Sequence, residues 1–373
     1  SGGKYYVIRN SSSIIAFEMP KKDFGAFMIC ASHTDSPSFK LKPDFEINAD
    51  GCIKLSVEGY GGMIMSSWLD RPLSISGRIV IAKDGKIETK LVNIDRNLLV
   101  IPSLAIHMSR DINKGYEFNI RRDMCPIASE KNGRIEDIIA ECVGVDKEEI
   151  LGFDLSLYNR MHGAVLGADG EYFSAPRIDD LQCMYSTLEG FLNSESDDNV
   201  TVFAAFDNEE VGSGTKQGAK SSFLRDVLER ICNNSETYKR AVAKSFMLSC
   251  DNAHAVHPNF ADKSDSTNRV YMNGGIVIKY NANQRYTTDA VSEAVVKYVC
   301  KNAGVPYQMY ANRSDIPGGS TLGNLSNEKV SLNTADIGLA QLAMHSSYET
   351  AGSRDTEYMV KMIKEFYKTE IVL

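Results

Sequence analysis

The sequence predicts an α/β fold built on a mixed sheet, with a smaller β-rich domain inserted into it. After Gly170 short apolar strands alternate with long amphipathic helices, whereas residues 75–165 read as short strands punctuated by glycine and hairpin turns. A further pattern gives the sheet its chemistry. Apolar runs at 27–32, 174–178, 200–206 and 246–250 break off into His33-Thr34-Asp35, Asp179-Asp180, Asp207-Asn208-Glu209-Glu210 and Asp251. In an open α/β sheet the carboxyl ends of the strands face one crevice, so the acids of neighbouring strands converge there.

Taken in order, residues 5–9 and 14–18 read as strands around a polar turn, and after the Pro20 break a third strand carries His33 at its end. Beyond Pro43 come short segments at 53–57, 75–82 before the Asp84-Gly85 turn, 87–92, and 98–101 before Pro102. One helix interrupts them, 135–143, with apolar positions at 135, 138, 139, 142 and 143. The second half opens with helix 181–192, striped by Leu181, Met184, Tyr185, Leu188 and Phe191, with Asp179 and Asp180 at the end where the helix dipole favours carboxylates. Strand 200–206, helix 222–232, strand 246–250, helix 289–301 and strand 307–312 follow. A Pro317-Gly318-Gly319 turn, strand 329–333 and helix 356–367 close the chain. Residues 1–74 and 166–373 thus form one discontinuous domain and 75–165 the insert.

Composition narrows the function. With 373 residues, 43% hydrophobic and 24% charged, the chain is long enough for two domains. A net charge of −8 and the lack of a dense Lys/Arg block argue against nucleic acid or an anionic membrane as partner, and favour a small molecule or peptide. The eight cysteines show no C-x-x-C spacing, which fits reduced thiols and a cytoplasmic enzyme. No run reaches the ~18 apolar residues of a membrane span. The start Ser1-Gly2-Gly3-Lys4 lacks both the apolar region of a secretory signal and an initiator Met, which leaves room for an upstream segment.

Several carboxylates gathered in one crevice repel one another by ~4 kcal/mol per pair at ~4 Å and the effective dielectric of a protein surface, so they call for cations. In His33-Thr34-Asp35 the side chains at i and i+2 point the same way, which lets Asp35 orient a metal-ligating imidazole. Glu209 and Glu210 diverge straight after a buried strand, so Glu210 can ligate while Glu209 acts as general base toward water. The segment from Cys250 to Pro258 holds Asp251, His254 and His257, and His345 ends another mostly apolar stretch.

Together, His33-Thr34-Asp35-Ser36-Pro37, Arg177-Ile178-Asp179-Asp180, Asp207 to Ser213, Asp251 to Asn259 and Gln341 to Ser346 resemble the M18 family of metallopeptidases, the aspartyl aminopeptidases, in order and over nearly the whole chain. The resemblance implies a zinc exopeptidase core with two zinc ions, His33, Asp179 and Asp251 on one, and Asp179, Glu210 and His345 on the other. Manganese or cobalt are alternatives. It also implies Glu209 as base, Asp35 as the residue orienting His33, and release of single N-terminal residues, Asp or Glu preferred. Lys279 stands where a basic group would read the acidic side chain, His254 lies beside the same substrate site, and His107 occupies the position of a histidine that the inserted dimerisation domain lends to a neighbouring subunit. Homodimers assembling to a homododecamer are implied. Two rival functions keep the same crevice: a dimetal amidohydrolase or deacylase of N-acyl compounds, and a peptide-binding scaffold without catalysis.

Overall fold

Strand Phe27–His33 is buried along its whole length, the condition of a strand with neighbours on both edges and helices on both faces. It lies inside an eight-stranded sheet of order Gly3–Arg9, Ser13–Met19, Val200–Phe206, Phe27–His33, Phe246–Cys250, Asn333–Gly338, Ile276–Tyr280, Tyr307–Ala311. The four central strands run parallel, while Ser13–Met19 is antiparallel to Val200–Phe206 and Ile276–Tyr280 is antiparallel to Asn333–Gly338. The sheet is therefore mixed, in an α/β fold. The computed structural model describes residues 2–130, 133–194, 198–316, 318–319 and 321–372; Ser1, and Pro317 of the expected turn, lie outside the described residues.

Alternation of side chains sorts two cores. Met28, Cys30, Phe203, Ala205, Phe246 and Leu248 face one side, with Phe191, Val296, Met359, Ile363 and Phe366 from helices Ile178–Leu192, Ala290–Ala303 and Asp355–Lys368. Phe27, Ile29, Ala31, Val202, Ala204 and Met247 face the other, under Phe223, Leu224, Val227 and Leu228 of helix Phe223–Ile231. Each buried Val, Leu, Ile, Phe or Met among them contributes roughly 1.5–3 kcal/mol, the alanines less. Helix Ala290–Ala303 starts at an Asp289 and Ser292 capping box and ends at Gly304, whose φ of 64° is the left-handed conformation a C-cap takes.

The chain divides into two units, Ser1–Ser36 with Ala164–Met344 and Glu349–Leu373, and Pro37–Gly163 with His345–Tyr348. In the second, strands Lys86–Asn93, Leu73–Lys83, Ile150–Asn159, Ser38–Ala49, Cys52–Tyr60 and Ile127–Glu130 form one antiparallel sheet in that order. Phe39, Leu55, Ile75, Ile79, Leu155 and Leu157 make its core, which Ile135 and Ile139 of helix Ile135–Val143 complete. This unit begins at Pro37 rather than at residue 75, because Ser38–Ala49 and Cys52–Tyr60 pair with each other and join the sheet that Leu73–Lys83 crosses.

Three local expectations differ from the structure. The strand expected at 329–333 starts at Asn333 and runs to Gly338, since Val330 and Leu332 instead bury with Leu322. Residues 98–101 make isolated bridges, Leu73 to Leu99 and Val100 to Ile127. Helix Ser235–Ala243, with three alanine or valine residues at its C-terminal end and a polar face, was not expected.

Candidate metal centre

Parallel pairing decides where the acids go. Phe206 registers with His33 and Ser249 with Ala31, so the strands carrying Glu209, His33 and Asp251 end on one edge of the sheet. Helix Ile178–Leu192 delivers Asp179 and Asp180 at its N-terminus, both buried, through a cis peptide between them. The imidazole Nε2 of His33 lies 3.4 Å from Asp179 Oδ1 and 3.8 Å from Asp251 Oδ1. Ligand atoms of His33, Asp179 and Glu210 fall within 4.8 Å of one another, and so do those of His33, Asp180 and Asp251.

Asp35 ties the cluster together in a way that differs from simple i, i+2 pairing. Its backbone carbonyl oxygen is 3.0 Å from His33 Nδ1 and its carboxylate 3.4 Å. The same carboxylate accepts the Glu209 amide at 3.0 Å and the Glu210 amide at 3.2 Å. A turn that starts at Asn208 with φ 64° is thus pinned where both glutamates leave the strand.

Burial sets the protonation. It pushes Glu209 up to about 7, helped by the Asp251, Asp179 and Asp35 carboxylates and opposed by His33. Asp180 is raised well above the usual carboxylate range by burial first. For His33 burial works against the charge, yet Asp179, Asp251 and Asp35 more than offset it and hold the imidazole well above its ordinary value. So many acids sharing one buried imidazole is unfavourable without added positive charge. An imidazole with hard carboxylate oxygens is the donor set of zinc and of harder divalent ions such as manganese, so the residues fit a metal.

The structure brings together His33, Asp35, Asp179, Glu209, Glu210 and Asp251. Lys279 joins them: it is buried, its ammonium donates to the Asn252 carbonyl at 2.8 Å and lies 3.6 Å from Asp251 Oδ2. Burial opposes its charge, but Asp251 with Tyr286 and Asp336 leaves its pKa raised. Its first partner is therefore the protein's own carboxylate. His254 is exposed and, with His257, Lys263, Tyr310, Arg313 and Gln341, lines a cavity of about 420 Å³. His107 sits on an exposed stretch of the second unit beside Leu104, Ile106 and Met108. His345 also belongs to that unit, where its carbonyl accepts from the Ile64 amide at 3.0 Å.

Several residues that shape the centre escaped sequence reasoning. Glu349, buried, accepts the Asp179 amide at 2.9 Å, and Asn252 donates to Gln182 and Gln341 at 3.0 and 2.6 Å while accepting from the Cys183 thiol at 2.8 Å. Asn252 stands next to Asp251 and could have been found; Glu349 lies in a strand with no marking pattern around it.

A buried imidazole and carboxylate cluster at the carboxyl edge of a mixed α/β sheet defines a candidate divalent-metal centre. Comparison with known proteins specifies it. Residues 1–367 match the family model described as Aminopeptidase I zinc metalloprotease (M18). A Clostridium acetobutylicum protein named Probable M18 family aminopeptidase 2 is 45% identical over 383 residues, covering 98% of this chain and 88% of its own. One of the same name from Pseudomonas aeruginosa is 38% identical over 377 residues, with 98% and 88% covered. Among solved structures, the cryo-EM structure of the Ape4 and Nbr1 complex contains a chain that matches with a TM-score of 0.93 and 35% identity, covering 98% of this chain and 76% of that one. The S. cerevesiae mApe1 dodecamer matches with a TM-score of 0.84 and 28% identity, covering 98% and 85%. The chain belongs to the M18 family and is a metallo-aminopeptidase, a peptide hydrolase.

Proposed function

We propose that this aminopeptidase releases single N-terminal residues, Asp or Glu by preference, from short peptides, with two zinc ions per subunit and Glu209 as general base. His33, Asp179 and Asp251 would hold one ion and Asp179, Glu210 and His345 the other, with Asp179 shared; manganese or cobalt would suit the same oxygen-rich donors. Bound there, the ions supply Lewis-acid polarisation of the scissile carbonyl and lower the pKa of water. Glu209 then accepts the proton of the attacking water and returns it to the departing amine nitrogen. The observation that carries this reading is the position of Glu209, whose amide the Asp35 carboxylate holds at 3.0 Å beside the acid cluster, next to Glu210.

Acidic preference is supported by the ammonium of Lys279 and by the Lys263 side chain on the cavity beside His254, whereas Arg313 of that cavity is paired with Asp315. His107, exposed among apolar neighbours, is assigned to a second copy's active site, in a cytoplasmic homodimer that builds toward a dodecamer, the assembly described for the S. cerevesiae relative. The inserted β-rich unit is the proposed dimerisation domain.

The test uses amino acid anilides with free or acylated amino groups. Cleavage is expected only with the free amine, and Glu209→Gln is expected to lower kcat/KM by about 10²–10⁴-fold at unchanged metal content. Cleavage of the acylated anilides would favour the deacylase reading, and substantial activity in Glu209→Gln would remove the base.

A further inference from the structure

Asp180 is a carboxylate that the ligand assignment leaves without a task. It is fully buried. One of its oxygens, Oδ2, accepts the His33 amide at 3.2 Å. The other, Oδ1, is buried with no hydrogen-bond partner at normal geometry among the described residues, its nearest donor being the Cys183 thiol, which also donates to Asn252 Oδ1 at 2.8 Å. An oxygen of Asp180 nevertheless lies within 4.8 Å of ligand atoms of both His33 and Asp251. A buried carboxylate with an unsatisfied oxygen beside an imidazole and a second carboxylate is strongly unfavourable unless a positive charge is close.

We propose that Asp180 is a fourth carboxylate of the metal centre, a positioning residue whose negative charge, set between the His33 amide and the His33 and Asp251 side chains, tightens the divalent cation held on that side. It acts in two ways. Through Oδ2 it fixes the strand end from which the imidazole projects, and through its charge it offsets the cation where Asp251 is already engaged by the Lys279 ammonium. Lys279 takes up part of Asp251's charge, and Asp180 restores it. This inference rests on the metal-centre reading above.

Asp180→Asn isolates the charge, since asparagine keeps the shape and still offers an oxygen to the His33 amide. Metal-free wild type and Asp180→Asn are titrated with Zn²⁺ against a chromophoric chelator, with ion content measured separately and the melting temperature of each metal-free protein recorded. The wild type is expected to take up two ions, and the variant to bind one of them about 10–100-fold more weakly, the range found when groups supporting a ligand are removed, at an unchanged metal-free melting temperature. Affinity for both ions within twofold of wild type overturns the proposal while the metal centre stands. Failure of the wild type to bind any Zn²⁺ removes both. Should Asp180→Asn not fold, a crystal structure of Zn²⁺-loaded wild type decides: an ion within about 6 Å of the Asp180 carboxylate, the range of strong charge coupling, upholds it, and a larger distance rejects it.

Discussion

Asp355 illustrates how much a single side chain can weigh. It is buried at the start of helix Asp355–Lys368, where its carboxylate accepts the Asn273 and Gly275 amides at 2.6 and 3.0 Å, and burial still raises its pKa to about 6. Because the folded value exceeds that of the unfolded chain, near 3.9, the native state holds the extra proton between the two. The contribution to stability is thus full below about pH 4 and declines as pH rises through about 6, by roughly 3 kcal/mol for a shift of about two units. Asp355→Asn cannot ionise. The stability of the variant minus that of the wild type, from urea unfolding, is expected to climb by about that amount from pH 4 to pH 7, and a flat difference would contradict it. Lys279 is tested by selectivity. If its ammonium reads an acidic side chain, Lys279→Met lowers the ratio of kcat/KM for Asp-anilide over Leu-anilide by about tenfold or more, whereas an effect only through Asp251 lowers both equally.

At the scale of elements, helices Ile178–Leu192 and Asp355–Lys368 meet through Gly190, where an added Cβ would stand 2.4 Å from Ile363 Cγ2. Helix propensity alone would make Gly190→Ala stabilising by up to about 1 kcal/mol. Overpacking is expected to win at about 1–3 kcal/mol, so the melting temperature should fall, and a rise would show that the helices can part. Elements whose apolar period is regular were legible in the sequence: strands Val200–Phe206 and Phe246–Cys250 and helix Ile135–Val143 fall where the residues place them. Asn333–Gly338 was not, because buried Asp336 interrupts its apolar run, and its carboxylate is satisfied at a distance by Thr287 and Thr321. Ser38–Ala49 was hidden likewise, since its pairing with Cys52–Tyr60 slips between Leu41 and Glu46 and breaks the alternation of side chains. Of the acid cluster, His33, Asp179, Glu209, Glu210 and Asp251 could be read from strand and helix ends. The service of the Asp35 carboxylate to two amides could not, because it depends on a turn 174 residues away.

At the scale of the whole molecule, the exposed apolar stretch of the second unit bears on assembly. Exposed Leu104, Ile106 and Met108 surround His107 on the second unit, an apolar group of the kind that interfaces cover. Light scattering after gel filtration is expected to give twelve times the 41.2 kDa chain, and a mass that stays at one chain across concentrations would remove the shared-site role of His107. The division of the chain was harder to see than its fold class. Hairpin punctuation marks where the glycine-rich text is densest, but the second unit gathers residues from both sides of that text, and the brief return of His345–Tyr348 leaves no compositional trace.

Asp35 carries a consequence for how the centre behaves under exchange of its ion. One residue grips the imidazole with its carbonyl and both glutamate amides with its carboxylate, so these three donors are geared to one another. If His33 holds the ion, a shift of its ring is expected to be felt at the Glu209 and Glu210 amides as well. Exchange of one divalent ion for a larger one is therefore expected to change turnover in a graded way, as in a linkage with a single pivot.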